Sequence, residues 1–355
     1  MTVESDLRTS DDSRAAETPT RAGPRDRFGR VIDYLRISIT DRCNLRCVYC
    51  MPLTAPDLAE GSHLLTADEI ETVVRCATSI GFRKFRLTGG EPTLRSDLVD
   101  ICRRISSTPG VADLSMTTNA IRMPEMADDL RAAGLRRVNV HVDSLSAVTL
   151  PRVMRLGSVE KILAGIAAAE AAGLTPIKLN IVVTRYFNDS EVAQLARLTL
   201  ERDWHVRFIE LMPLGSSSEA RLSVTNYVSN VDSRARIESE LGALQIVPSD
   251  NPSDECENFR VPGAPGVIGF ISPVSKPYCG GCNRMRMTAD GRFHLCLLND
   301  DELDVRAALR ADAPQADREE RVTQILLAAV SGKPTGHRLA EGLHTRGKRM
   351  HQIGG

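Results

Sequence analysis

Between Tyr34 and Met212, short β-rich runs alternate with helical stretches, which limits the chain to few folds. Parallel neighbouring strands need crossover connections, so repeated strand–helix units predict an α/β fold with a parallel sheet. The predicted strands are Tyr34–Thr40, Lys84–Thr88, Asp113–Thr118, Arg137–Asp143, Pro176–Thr184 and His205–Met212. The predicted helices between them are Leu65–Ile80, Arg95–Ser107, Pro124–Ala133, Ser158–Ala172 and Ser190–Asp203. Thr66 and Glu69 form a capping-box pattern at the first helix.

The chain divides into three predicted regions. Residues 1–29 are polar and of mixed charge, without the apolar run of a secretory signal, and are predicted to be a disordered leader. Residues 30–214 hold the strand–helix units. Helices are predicted again over Ser223–Leu241 and Ala307–Ser331, with proline, glycine and short β runs between them. Residues 215–355 are therefore predicted to be a separate C-terminal region.

Composition excludes several classes of protein. The 355 residues carry 45 Lys plus Arg against 46 Asp plus Glu, which argues against a nucleic-acid-binding protein. No stretch approaches the ~20 apolar residues that span a bilayer, so no membrane association and a cytoplasmic location are expected. The nine cysteines are an odd number without a secretory signal, which indicates metal or redox chemistry rather than disulfides.

Three cysteines, Cys43, Cys47 and Cys50, follow directly after the first predicted strand. Iron–sulfur clusters are held by such thiolates, and three ligands leave one iron of a [4Fe-4S] cluster open to a substrate or cofactor. A zinc knuckle is the alternative, but no fourth cysteine or histidine follows before His63.

The Cys-x3-Cys-x2-Cys spacing, with Tyr49 before the last cysteine, resembles the radical S-adenosylmethionine (radical SAM) enzymes. The Gly89–Pro92 run, Gly-Gly-Glu-Pro, is a second mark of that family. In the family the open iron chelates S-adenosylmethionine, and one electron then yields a 5′-deoxyadenosyl radical. The resemblance implies a partial (β/α)6 TIM-like barrel with a C-terminal extension that carries a second iron–sulfur cluster.

A second cysteine group has the pattern Cys-x2-Cys-x13-Cys, formed by Cys279, Cys282 and Cys296. By spacing alone, zinc with His294 as fourth ligand is an alternative to a second cluster. Arg284 and Arg286 favour the cluster, because two guanidinium groups suit an anion such as phosphate better than a structural metal dication. A second open iron would then face a phosphorylated ligand.

Polar side chains recur along two predicted strands. Asn139, His141 and Asp143 alternate on one of them, as Lys178 and Asn180 do on the next. Residues two apart share a face of a strand, and the interior of a barrel that is only packed would hold Val, Ile and Leu there. These residues indicate a polar active site, with a satisfied polar network in the core as the alternative.

Both cysteine groups, the arginine pair and the Gly354-Gly355 end together resemble the radical SAM enzymes that act on GTP in the first step of molybdenum cofactor biosynthesis. The resemblance implies conversion of GTP to (8S)-3′,8-cyclo-7,8-dihydro-GTP, with hydrogen abstraction at C3′. It assigns no side chain an acid–base role, because this C–H bond is unactivated. It further implies a low-potential electron donor such as flavodoxin or ferredoxin, a homodimer, and cyclic pyranopterin monophosphate synthase as the next enzyme.

The resemblance also implies roles for individual residues. The implied ligands of the two [4Fe-4S] clusters are Cys43, Cys47, Cys50, Cys279, Cys282 and Cys296. The implied contacts to S-adenosylmethionine are Tyr49, Gly90, His141 and Met212. The implied contacts to GTP are Arg36, Arg86, Thr117, Lys178, Arg284 and Arg286. Further implied site residues are Lys84, Glu91, Arg207, Gly354 and Gly355. His141 departs from the family, which generally has serine there.

The sequence leaves two rival functions open. One is a different radical SAM enzyme with an auxiliary cluster, such as a peptide-modifying or sulfatase-maturing enzyme. Such enzymes usually carry more C-terminal cysteines than the three found here. The other is a non-catalytic metal-binding interaction module, which requires zinc at both centres. For the Gly354-Gly355 end the alternative is a frayed terminus without a function.

Overall fold

The computed structural model describes residues 23–54, 63–215, 222–249 and 251–354. The strands of this part are β1 Tyr34–Ser38, β2 Lys84–Thr88, β3 Asp113–Thr118, β4 Arg137–His141, β5 Lys178–Val183, β6 His205–Glu210, β7 Gln245–Val247, β8 Glu257–Arg260, β9 Val267–Ile271, β10 Arg284–Met287, β11 Arg292–His294 and β12 Glu302–Asp304. The helices are α1 Ala67–Ser79, α2 Leu98–Ser107, α3 Ala127–Ala132, α4 Leu150–Val153, α5 Val159–Ala171, α6 Val192–Ala196, α7 Leu198–Glu201, α8 Asn230–Leu241, α9 Arg306–Leu309, α10 Gln315–Gly332 and α11 Met350–Ile353.

All twelve strands belong to one sheet, in the order β12-β11-β10-β1-β2-β3-β4-β5-β6-β9-β8-β7. Strands β1 to β6 pair in parallel with their neighbours, as the strand–helix alternation predicts. The C-terminal region adds β10 in parallel beside β1 and β9 in parallel beside β6. The predicted partial six-stranded barrel is confirmed and is widened to eight parallel strands, with antiparallel strands beyond them at both edges.

The ends of the helices have the capping residues that the sequence predicts. The Thr66 hydroxyl accepts from the Glu69 backbone N–H at 3.2 Å, and the Glu69 carboxylate accepts from the Thr66 N–H at 2.8 Å. This capping box begins α1, whose Val73 and Ala77 are fully buried against the sheet. Gly134 follows α3 at φ 92°, a backbone conformation that residues with a Cβ rarely adopt.

Residues 23–29, the end of the predicted leader, are folded, while residues 1–22 lie outside the described part. Arg25 and Val31 form a β-bridge, and the Asp26 carboxylate accepts from Arg30 Nε at 2.6 Å. Arg30 in turn donates to the carbonyl oxygens of Cys279 (2.8 Å) and Pro334 (2.6 Å). These residues are ordered because buried charge and hydrogen bonds tie them to the C-terminal region, a long-range contact that local composition does not reveal.

The structure corrects the helices predicted for the C-terminal region. The helix predicted over Ser223–Leu241 does not run continuously, because Ser229 caps a new helix, α8, by accepting from the Asp232 N–H. The helix predicted over Ala307–Ser331 is divided into α9 and α10, with Pro314 directly before α10. Proline cannot donate within a helix, so it suits the start of one. Strands from both sides of residue 215 share one sheet, since β9 and β10 join β1 to β6.

No helix in the described ranges is long and apolar enough to cross a membrane.

Candidate active site

The first cysteine group lies on the loop that leaves β1 at its carboxyl end. Cys47 is buried, and Cys43 and Cys50 are half-buried. Burial raises the pKa of the Cys43 thiol to about 11, and burial with the charge of Asp143 raises the pKa of Cys47 well above its usual range. Bound metal ions would reverse these shifts, because a coordinating thiol is deprotonated by the ion's own charge. The donor set therefore fits an iron–sulfur cluster.

The Gly-Gly-Glu-Pro run packs directly on the cysteine loop. Gly90 N–H donates to the Thr40 carbonyl and Glu91 N–H to the Arg42 carbonyl, both at 2.7 Å. A Cβ at Gly90 would overlap the Arg42 carbonyl, and Gly89 has φ 154° with no room beside Thr40. The two glycines thus let the end of β2 approach the backbone of the cysteine loop.

The Glu91 side chain borders the site, and both of its carboxylate oxygens accept hydrogen bonds. Its carboxylate accepts from Thr93 N–H (3.1 Å) and Oγ1 (2.6 Å), from Thr118 Oγ1 (2.6 Å) and from Asn119 N–H (2.7 Å). Burial raises the pKa of Glu91, and these hydrogen bonds partly oppose the shift. Its predicted contact to the cofactor's ammonium group stays a prediction, because the four donors give the side chain a structural task of its own.

Tyr49 and His141 meet beside Cys47. The Tyr49 hydroxyl donates to the Asp143 carboxylate at 2.5 Å and lies 2.9 Å from His141 Nε2, which is 3.7 Å from Cys47 Sγ. Burial lowers the pKa of His141, but the charge and hydrogen bond of Asp143 raise it more, and the net shift is upward. Ligand atoms of Cys47, His141 and Asp143 lie within 4.8 Å of one another. The histidine predicted to contact the cofactor therefore borders the first cysteine group.

A cavity of about 190 Å³ opens inside the barrel beside this group. It brings together most of the residues that the sequence assigns to cofactor and substrate. Its predicted members are Cys43, Cys47, Cys50, Tyr49, Gly90, Glu91, His141, Met212, Arg36, Arg86, Thr117 and Arg286. Asn180 also lines it, and its buried Oδ1 has no donor among the described residues. An unpaired buried amide oxygen favours a ligand that donates a hydrogen bond there.

Strand register explains the basic side of this cavity. Arg36 on β1 is paired in register with Arg286 on β10 and with Arg86 on β2, which sets three buried guanidinium groups in a row. Burial and the neighbouring charge of Arg36 lower the pKa of Arg286 to about 9, and burial lowers the pKa of Arg86 to about 10. Such shifts mark buried positive charge that a bound anion would stabilise.

The basic row continues around the barrel to β4, β5 and β6. With its amide oxygen turned toward them, Asn139 accepts from Arg86 at 2.6 Å and from Arg207 at 3.0 Å. Burial, with the charges of Arg207, Arg137 and Arg86, lowers the pKa of Lys178 to about 8. Lys178 and Arg207 therefore belong to the same basic network.

Lys84, a predicted member of the site, begins β2 and does not line this cavity. Its ammonium group is 3.3 Å from Asp33 and its side chain is 43% exposed. The structure therefore places the Lys84 ammonium group beside Asp33 and outside the cavity.

The second cysteine group borders a smaller cavity of about 80 Å³, lined by all three cysteines, Arg284 and Arg286. Met212, Tyr278 and Arg286 line both cavities. Burial raises the pKa of Cys282, but the charges of Lys333 and Arg284 lower it more, which favours the thiolate. The donor set therefore fits a second metal centre.

His294, the zinc alternative's fourth ligand, does not line the cavity of the second cysteine group. Its Nδ1 instead lies 3.2 Å from the Glu302 carboxylate, and the ring is buried. This geometry favours a centre held by the three cysteines alone.

The C-terminal segment enters the barrel. The Gly354 carbonyl accepts from Arg286, and a Cβ at Gly354 would lie 2.6 Å from Thr88 Cγ2. His351 is 3.1 Å from the Cys50 carbonyl and lines the larger cavity, and Ile353 is fully buried. The frayed-end alternative does not hold for these residues, whereas Gly355 lies outside the described part.

Sequence reasoning missed Glu255. This carboxylate lines the larger cavity, accepts from Arg36 Nη2 at 2.9 and 3.0 Å, and also pairs with Arg284. Burial raises its pKa, but the charges of Arg284 and Arg36 hold the pKa well below its usual range. A lone acid in a polar loop gives no spacing signal, so the sequence offered nothing to single it out.

Comparison with known proteins agrees with this site. A model of the Radical SAM superfamily matches residues 37–199, and a model named Molybdenum Cofactor Synthesis C matches residues 204–339. The chain is 44% identical over 330 residues to a GTP 3′,8-cyclase of Moorella thermoacetica, and 43% identical over 332 residues to one of Pelotomaculum thermopropionicum. Each alignment covers 93% of this chain and 99% of the relative.

Among solved structures the chain is similar in fold to Streptococcus suis SuiB. The TM-score is 0.57 at 13% identity, over 87% of this chain and 68% of that chain. For SuiB bound to S-adenosylmethionine it is 0.52 at 14% identity, over 87% of this chain and 66% of that chain. At this identity the likeness concerns the fold alone.

The barrel, the first cysteine group and the Gly-Gly-Glu-Pro run define a radical SAM enzyme, with the S-adenosylmethionine and iron–sulfur chemistry of that class. Within this class, the chain is more than 40% identical over nearly its whole length to two GTP 3′,8-cyclases. The chain belongs to the GTP 3′,8-cyclase family. The predicted family, fold class, enzyme class and cofactors are confirmed.

Proposed function

We propose that this chain converts GTP to (8S)-3′,8-cyclo-7,8-dihydro-GTP, the first step of molybdenum cofactor biosynthesis. The observation that carries the proposal is the pair of adjoining cavities. The first cysteine group borders one cavity, the second borders the other, and Met212, Tyr278 and Arg286 line both. One substrate can therefore reach from the first centre to the second.

The charge of the larger cavity suits a nucleoside triphosphate. A triphosphate brings about four negative charges, which need fixed cations where the dielectric is low. Arg36, Arg86 and Arg286 form a row across three strands, and Lys178 and Arg207 extend it. Guanidinium groups bind phosphate oxygens in pairs, so the row both neutralises and orients the chain of phosphates.

The chain's own residues bind and orient reactants in this reaction. When bound, the first cluster and S-adenosylmethionine supply the radical that abstracts the C3′ hydrogen of GTP. Cys43, Cys47 and Cys50 would hold that cluster, and Tyr49 and Met212 would border the cofactor. The buried basic row fixes the triphosphate, so the ribose is held in one position and water is excluded. Cys279, Cys282 and Cys296 would hold the second cluster, which would bind the guanine.

The proposal extends to partners. The reaction needs a low-potential one-electron donor such as flavodoxin or ferredoxin, because S-adenosylmethionine cleavage consumes an electron. The product passes to cyclic pyranopterin monophosphate synthase. We further propose a homodimer, a cytoplasmic location that keeps the thiols reduced, and the division of the chain near residue 215 into barrel and substrate-binding regions.

An anaerobic assay tests the proposed function. Reconstituted protein is incubated with S-adenosylmethionine, a strong reductant and either GTP, ATP or a peptide substrate. We expect 5′-deoxyadenosine together with a pterin-precursor product from GTP alone, and about eight irons with little zinc per chain. Zinc at both centres without turnover would favour the interaction module, and peptide modification would favour the other radical enzyme.

A further inference from the structure

Residues 251–256 form a short loop between β7 and β8 that borders the larger cavity. Asp254 organises it: Asp254 Oδ2 accepts from Ser249 Oγ at 2.8 Å, and Oδ1 accepts from the Cys256 N–H at 3.1 Å. The loop therefore has a defined shape. Its next residue, Glu255, carries a carboxylate into the cavity.

Glu255 is paired with two arginines of the site, Arg36 of the larger cavity and Arg284 of the smaller one. Its oxygens accept from Arg36 Nη2 at 3.0 and 2.9 Å and from Arg284 Nη1. Arg284 Nη2 also donates to the Ser253 carbonyl at 2.7 Å. Both arginines are 8% exposed. The protein thus neutralises part of its anion site with a carboxylate of its own.

A carboxylate and a phosphate group compete for the same guanidinium donors. Both prefer paired contacts to the planar fork of arginine, and two anions at one fork repel each other strongly in a buried site. Buried arginines without any partner would in turn be costly, so an internal acceptor keeps Arg36 and Arg284 in place while the site holds no anion.

We propose that Glu255 is a positioning residue that holds Arg36 and Arg284 where the two cavities adjoin and yields them to the triphosphate of the substrate. The proposal rests on the proposed function, since it takes a triphosphate as the competing anion. Because the carboxylate must be displaced, Glu255 weakens substrate binding and sets KM, while the reacting atoms lie elsewhere and kcat is unaffected. Displacement also frees residues 251–256 from the arginines.

The test compares Glu255→Gln with the wild type as reconstituted holoenzymes. Glutamine keeps the shape and one acceptor oxygen but removes the charge. We expect the variant to bind GTP and inorganic tripolyphosphate more tightly, on the order of tenfold, with KM for GTP lowered and kcat unchanged. Guanosine, which has no phosphate, should bind both proteins equally.

A matched control is Glu257→Gln, the same change two residues away at an exposed carboxylate that pairs with Lys276. It should leave affinity and KM unchanged, because Glu257 does not line the cavity. Unchanged or weaker binding of GTP by Glu255→Gln would overturn the proposal, and weaker guanosine binding would identify Glu255 as a contact to the base. Wild-type protein that binds neither GTP nor tripolyphosphate would contradict the proposed function instead.

Amide hydrogen exchange on the wild type gives a readout that does not depend on the variant folding. Adding tripolyphosphate should speed exchange in residues 251–256, because their tie to Arg36 and Arg284 is released. Equal or slower exchange in this segment would overturn the proposal even if Glu255→Gln proved too unstable to measure.

Discussion

At the scale of single residues, the two cysteine groups have different surroundings, so replacing a cysteine in each group should affect the reaction differently. Cys47 lies beside His141 and the larger cavity, whereas Cys282 lies beside Lys333 and Arg284. Replacing Cys47 with Ala should abolish 5′-deoxyadenosine formation, because its cluster can no longer present an open iron. Replacing Cys282 should end cyclisation but leave some uncoupled cleavage of S-adenosylmethionine, as measured by chromatography of 5′-deoxyadenosine.

Cys102→Ala is the matched control for both changes, since Cys102 is a buried thiol on α2 outside either group. Its iron content and turnover should equal those of the wild type. Equal and complete loss of cleavage in the Cys47 and Cys282 variants would contradict the division of roles.

Lys178 should make GTP binding depend on pH. Burial and the nearby charges of Arg207, Arg137 and Arg86 lower its pKa to about 8 in the free protein, and a bound polyanion raises it again. The protonated form binds, so affinity is full below that pKa and falls above it, by at most about tenfold per pH unit. Equilibrium dialysis of GTP between about pH 7 and about pH 9 measures this slope.

Lys178→Arg supplies the comparison for that slope. Arginine keeps the charge throughout this range, so the variant should show a flatter profile than the wild type. Identical profiles for the two proteins would show that another group controls the pH dependence.

At the scale of elements, the C-terminal segment fits inside the barrel because Gly354, its last described residue, has no side chain. Gly354 has φ 82°, its carbonyl accepts from Arg286, and its Cα faces Thr88. Gly354→Ala, like deletion of both terminal glycines, should therefore stop cyclisation while iron content, fold and S-adenosylmethionine binding survive. A peptide with the tail sequence should partly rescue the deletion variant.

Gly342→Ala is a control for Gly354→Ala. It separates the effect of a side chain at a positive φ from the effect of displacing the tail from the barrel. Gly342 also has a positive φ, 74°, but a Cβ there would meet nothing within 4 Å. This variant should keep most of its turnover, as measured by product formation. Normal turnover of the protein without its two glycines would return the tail to the frayed-end interpretation.

The arrangement of the strands shows how far local sequence signals reach. Strands β2 and β3 and the capping box at Thr66 follow from neighbouring residues, and the structure has them where the sequence predicts them. The pairing of β10 with β1 does not follow from such signals, because it joins residues about 250 positions apart. That pairing is what sets Arg286 beside Arg36.

The residues of the site can likewise be divided into those that local sequence signals predict and those that they do not. Cysteine spacing and the polar alternation on β4 and β5 predict Cys43, Cys47, Cys50, His141 and Asn180, because period and spacing are visible in the chain, and the family resemblance implies the other predicted lining residues. Glu255 was beyond prediction, since its place depends on a tertiary contact made by a loop, and the entry of the tail was implied only by the family resemblance. Lys84 lies outside the cavity, and its pairing with Asp33 gives no signal in the local sequence pattern.

At the scale of the whole molecule, we propose that both cysteine groups serve one GTP molecule whose ribose faces the first centre. Mass spectrometry of a single anaerobic turnover with GTP deuterated at C3′ tests this most directly. Deuterium from C3′ should appear in 5′-deoxyadenosine, in step with formation of the cyclised product. Unlabelled 5′-deoxyadenosine beside unchanged GTP would contradict it.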